Sequence, residues 1–157
     1  MVSIQIEHLK GFMADLLTGS AFDIYDVEEV TITTFNTFHI DGRIRKEFYS
    51  REEAEEEGIG LFSKWKDLRP VCFDLIKGKK APLSFKIVLH LCEEEKKRLI
   101  EENDLTYMAE SIGSFVLTLR YEKGTAEVIT GCAMNTFIPD KTPDHVWDRV
   151  VTAKLSQ

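Results

Sequence analysis

Apolar positions along the chain follow two periods. Between residues 67 and 76, Leu68, Val71, Cys72, Leu75 and Ile76 recur at i, i+3, i+4, i+7 and i+8, which is one face of a 3.6-residue helix. Asp67 as N-cap, Pro70 in the first turn and Gly78 as a left-handed C′ residue suit its ends. After the basic turn Lys77-Gly78-Lys79-Lys80, the residues Leu83, Phe85, Ile87, Leu89 and Leu91 alternate with Ser84, Lys86, Val88, His90 and Cys92. That period of two predicts a strand with one buried face, and this stretch organises the chain.

The remaining elements follow from the same signals. A short edge strand over 2–6 leads to a helix over 7–18, where Leu9, Phe12, Met13, Leu16 and Leu17 repeat the helical spacing and Gly19 ends it. Residues 27–40 read as one long strand, with imperfect alternation that implies a bulge near Thr34-Phe35 or two apolar faces. Asp41-Gly42 is a hairpin signal, returning the chain as a strand over 43–49. Ser50 and Glu53 form a capping-box pair before an acidic run ending at Gly58. A helix over 93–102 is supported by Glu93/Lys97, Glu94/Arg98 and Lys97/Glu101 at i, i+4. Residues 105–112 have helical spacing between Asp104 and Gly113, with a short strand as the alternative. Strands over 114–122 and 125–137 then meet at Lys123-Gly124, and Thr142 caps a last helix with Pro143 at N1 and Val146, Trp147, Val150, Val151 and Leu155 on its buried side. Together these give an α+β fold: about five long strands in a mainly antiparallel sheet with helices packed on it, in one domain over 1–157.

Two echoes point to an internal duplication. The helices at Leu9–Leu17 and 68–76 share their spacing, and Asn36-Thr37-Phe38 and Asn135-Thr136-Phe137 each precede an aspartate, at Asp41 and Asp140. The offsets of the two echoes differ, so a tandem repeat requires an insertion in its second copy. If real, a helix followed by antiparallel strands, stated twice, is similar in architecture to half of a sliding clamp. Equivalent placement would have Asn36 and Asn135 fixing two similar strand exits while Phe38 and Phe137 pack inward. Across nearly its full length, most clearly over 32–43 (ITTFNTFHIDGR) and 75–80 (LIKGKK), the chain resembles a family of small uncharacterised proteins from anaerobic Firmicutes, classed as a domain of unknown function. That resemblance implies no catalytic residues.

Composition narrows the functional classes. With 43% hydrophobic and 30% charged residues in 157, and no linker rich in Gly, Ser or Pro, the chain has the balance of a soluble globular domain. No apolar run is long enough to span a bilayer and the N-terminus lacks signal-peptide regions, so a cytoplasmic bacterial protein without membrane contact is expected. Three cysteines in no recognisable spacing fit reduced thiols. A net charge of −7 argues against nucleic acid as the main ligand. Two basic clusters, Arg43/Arg45/Lys46 and Lys77/Lys79/Lys80, would hold a small anion only if the fold joined them.

Signatures of phosphate loops, dinucleotide folds, zinc proteases and nucleophile elbows are missing from the sequence. His90-x-Cys92, with Cys132 or His39 as further ligands, falls short of a structural zinc set, and no metal or cofactor is expected. Cys132 has no neighbouring base to activate it as a nucleophile. His39 and Asp41 share one strand parity, which suits a histidine oriented by a carboxylate for acid–base chemistry. The favoured reading is a non-enzymatic module that binds a protein or small ligand. Alternatives are a small enzyme using His39 and Asp41 with Asn36 and Asn135 in a cleft, and a clamp-like protein associated with nucleic acid.

Overall fold

The computed structural model describes residues 1–156. Its core is built outward from the alternating segment, which forms β5 (Ser84–Leu91) between β2 (Tyr25–Thr33) and β6 (Ile112–Glu122). Phe85, Ile87, Leu89 and Leu91 are buried, and each stands beside an apolar residue of β2: Ile32, Val30, Val27 and Tyr25. On the other side the register sets Tyr121, Leu119 and Leu117 of β6 against Phe85, Ile87 and Leu89. β7 (Thr125–Met134), β1 (Ser3–Gln5) and β3 (Thr37–Asp41) complete the order β1-β7-β6-β5-β2-β3, and a two-residue β4 (Ser63–Lys64) pairs with the start of β2. Every pairing is antiparallel, giving a seven-stranded sheet and the expected α+β class.

Helices cover the apolar face. α1 (Leu9–Leu17) packs on α3 (Trp65–Ile76), α3 lies chiefly over β2, and α5 (Thr142–Leu155) lies over β7. Two fully buried tryptophans fasten them: Trp65 Nε1 donates to the Leu16 carbonyl at 3.0 Å, and Trp147 Nε1 donates to the Val116 carbonyl at 2.9 Å. Arg69 of α3 adds an ion pair to Asp23 in the loop after α1. α2 (Arg51–Glu56) has no buried residue and rests on its capping box, with Ser50 Oγ accepting from Glu53 N at 3.1 Å.

Several expectations are corrected. Residues 27–40 form two strands, β2 and β3, joined by a turn over 34–36; the bulge falls at Glu28, between Val27 and Glu29. Asp41-Gly42 does not turn a hairpin. Gly42 passes so close to the bulge that a Cβ there would lie 1.9 Å from the Val27 carbonyl oxygen, and its N–H donates to the Glu28 carbonyl at 2.9 Å. The segment 43–49 is consequently not a strand: Arg43 makes one isolated bridge to Phe62, and a 3-10 turn follows at Lys46–Phe48. α3 starts two residues before Asp67, with Lys64 at the N-cap, and Pro70 lies inside it. Lys77 leaves the helix in extended conformation, so Gly78 does not serve as a Schellman residue. In α4 (Glu93–Glu102) the ion pairs form at i, i+3, Lys96–Glu93 at 3.4 Å and Arg98–Glu95 at 3.0 Å. Residues Thr106–Ser111 are a 3-10 helix, β7 stops at Met134, and Thr142 occupies the first turn of α5 while Asp140 Oδ1 caps it by accepting from Thr142 N and Oγ1.

Candidate functional site

Antiparallel pairing gives the sheet two distinct ends. At one, Leu83 N donates to the Thr33 carbonyl and Ser84 stands opposite Glu122, so the 34–36 turn, the 77–83 loop and the β6–β7 turn lie together. At the other end Gly42 sits against Glu28 and Ile112 pairs with Met134. Glu28 and Thr33 are separated by roughly 16 Å along β2 at about 3.3 Å per residue. The two basic clusters are therefore apart, Lys77/Lys79/Lys80 at the first end and Arg43/Arg45/Lys46 at the second.

Asn36 and Asn135 also fall at opposite ends. Asn36 lies in the exposed turn, whereas Asn135 Nδ2 donates to the Glu110 carbonyl at 3.0 Å and its backbone N–H to Ser111 at 2.8 Å, closing the 3-10 segment onto the end of β7. The echoed helices do pack together, but the echoed strand ends are not equivalent, and Phe137 is 89% exposed where inward packing was expected. His39 Nδ1 contacts Thr31 Oγ1 at 3.2 Å, while Asp41 accepts from Arg43 N at 3.0 Å and from Arg45 at 2.9 Å. Each is occupied by a different partner, so the carboxylate does not orient the imidazole.

The other candidates are equally dispersed. His90 lies on the face opposite the helices, its ring edge-on to Phe62 at 4.7 Å and its buried Nε2 without a hydrogen bond. Asp26 stands across from it on β2, and burial raises that carboxyl above the usual carboxylate range despite the lowering effect of His90 and Lys64. Cys132 is on β7 against Phe115, its thiol pushed up to about 11 by burial, and Cys92 precedes α4. Among the described residues no group of three or more His, Cys, Asp or Glu side chains is placed to hold a metal ion.

What the fold does assemble is an apolar tip beside the end of the lysine-bearing 77–83 loop. Phe38 stands opposite Ile32 on the helix-covered face, and Leu83 has the parity of Phe85, so both continue the core face outward. α3 ends at Ile76, and Phe38 is left half-buried and Leu83 exposed. Leu83 is 67% exposed, and Phe35, in the turn, is 89% exposed with its ring edge-on to Phe38 at 6.4 Å. Lys77 is held by Asp74 at 3.0 Å and lies over the Phe73 ring, but Lys79 and Lys80 have no carboxylate partner among the described residues. Phe35 and Leu83 were not candidates in the sequence; Pro82 before an apolar residue was the available sign that the strand's first apolar position lies outside the sheet. The arrangement offers apolar area and positive charge for binding, with no nucleophile or acid–base pair within it.

No helix among the described residues is long and apolar enough to cross a membrane. No curated protein and no solved structure matches the chain. One family does match, over residues 15–157, which takes in the whole sheet except β1 together with the lysine loop and the exposed tip. On that match the chain belongs to the Family of unknown function (DUF5721).

Proposed function

We propose that this domain is a non-enzymatic, cytoplasmic binding module whose ligand is a protein segment with apolar side chains flanked by carboxylates. The observation that carries the reading is Phe35, 89% exposed at a tight turn whose preceding Thr33 carbonyl accepts from Leu83 N, the end of the loop that carries Lys79 and Lys80. Clustered exposed apolar groups rimmed by polar residues mark interaction sites, and aromatic side chains concentrate at interface centres. Lys79 and Lys80 select by charge: they attract an acidic segment and raise its association rate. Three free thiols accord with a reducing compartment. The enzyme reading has less support, because His39 and Asp41 bond elsewhere and the asparagines are at opposite ends.

Selection of a random peptide display library on the immobilised protein tests the proposal. Enriched peptides are expected to combine Leu or Phe with Asp or Glu, and enrichment is expected to vanish with Phe35→Ser and with Lys79→Glu/Lys80→Glu. Enrichment unaffected by these variants, or binding to anionic vesicles or duplex DNA that exceeds peptide binding, would overturn it.

A further inference from the structure

The sheet is open, and its two edges are unequal. β1, at one edge, is three residues long, whereas β3, at the other, is five and pairs only with β2. The bonds from Gly42 N to the Glu28 carbonyl and from Thr34 N to the Asn36 carbonyl bracket the β2–β3 ladder and fix its phase. Phe38 and Ile40 turn their backbone groups to β2. The N–H and C=O groups of Thr37, His39 and Asp41 therefore point out of the sheet, and none of them has a hydrogen-bond partner among the described residues. A bare edge is a template for another strand, and proteins blunt one with lysine, proline or a bulge. β3 has none of these: it reads Thr-Phe-His-Ile-Asp, and its register with β2 is unbroken. Thr37, His39 and Asp41 are exposed, and Phe38 and Ile40 on the helix side are only half-buried.

The strand that fits this edge is β3 itself. A two-fold axis at His39 sets His39 opposite its own copy and Thr37 opposite Asp41 of the second copy. All of these residues present outward backbone groups, so the antiparallel ladder closes in phase. Phe38 then faces Ile40 of the second copy, and Ile40 faces its Phe38, in the non-hydrogen-bonded pairs where side chains approach most closely. No two carboxylates and no two ammonium groups meet. Five residues that are their own complement are what an isologous contact requires, and an unrelated strand has no such reciprocity. We infer that the protein forms a two-fold dimer through β3, joining two sheets into one continuous antiparallel sheet. The contact is small, so the dimer exchanges with monomer. Phe35 and Leu83 lie outside the five paired residues.

Sedimentation velocity of the full chain from about 10 µM to about 1 mM tests this, with a monomer passing into a dimer as the expected result. Over the same range the wild-type amide exchange of Thr37, His39 and Asp41 should slow about tenfold. His39→Pro removes an N–H that bonds nothing in the monomer, at an edge position where proline is tolerated; it should abolish the dimer and leave the urea midpoint nearly unchanged. His39→Lys sets two ammonium groups opposite each other across the axis and should weaken association about fivefold. A monomer at every concentration, a dimer that survives His39→Pro, or exchange at 37, 39 and 41 that ignores concentration would each overturn the inference. Slowing of those amides only when a foreign peptide is added would give the edge to another chain and overturn it too. None of these outcomes involves Phe35, so docking at the tip is judged separately.

Discussion

Leu89→Ala is the sharpest probe of the core. Leu89 is 0% exposed and is flanked across the sheet by Val27 on β2 and Leu117 on β6, both also buried. Truncation removes three carbon groups, which at about 0.8 kcal/mol each amounts to roughly 2.4 kcal/mol of lost transfer free energy. The space left between two paired strands collapses poorly, and the cavity brings the expected loss to about 2–5 kcal/mol. For a chain of this size that corresponds to roughly 6–15 °C at about 3 °C per kcal/mol. Urea titration is the assay, with a lower midpoint and an unchanged m-value expected. Leu83→Ala is the internal control: the same substitution at a residue 67% exposed should cost less than about 0.5 kcal/mol. A loss below about 1 kcal/mol for Leu89→Ala, or equal losses at both positions, would show that β5 does not anchor the core.

Gly42→Ala should destabilise by about 3 kcal/mol or more, because its Cβ would meet the Val27 carbonyl oxygen at 1.9 Å and backbone cannot yield as a side chain does; a shift under about 1 kcal/mol in the same titration would contradict the bulge geometry. Asn135→Ala should lower stability by about 0.5–1.5 kcal/mol through the lost bond to Glu110, whereas Asn36→Ala should change it by less than about 0.5 kcal/mol; equal thermal shifts would restore the equivalence of the two strand ends. Burial raises the folded-state pKa of Asp26 above the ordinary 3.8, so the folded state holds that proton more tightly than the unfolded state, and stability contributed here falls as pH rises from 3.8 through the raised value. Asp26→Asn is therefore expected to be more stable than the wild type at neutral pH, with the advantage fading as pH drops from the raised value to 3.8; an advantage independent of pH would refute the titration account.

Legibility of the sequence tracked how local each determinant is. β5 was readable because Phe85, Ile87, Leu89 and Leu91 alternate, and the start of α2 because a capping box spans only four positions. The β2–β3 turn was misread because Thr34-Phe35-Asn36 has none of the glycine that marks tight turns, while Asp41-Gly42 carries a strong local signal that the tertiary approach to the Glu28 bulge overrides. Helical periodicity located α3 but not its first turn, since Trp65 points into the core from before the apparent cap. The lysines of the candidate site were visible in sequence. Exposure of Phe35 and Leu83 was not, because it depends on α3 ending before it reaches the hairpin.

The binding role is tested most directly by backbone amide shifts of the isotope-labelled protein titrated with an acidic, leucine-containing peptide at constant ionic strength. Saturable changes confined to 33–38 and 77–84, absent in Phe35→Ser, are the expected result. Changes centred instead on 43–49 or 135–141, or no saturable change at all, would contradict the assignment of the exposed tip as the docking site.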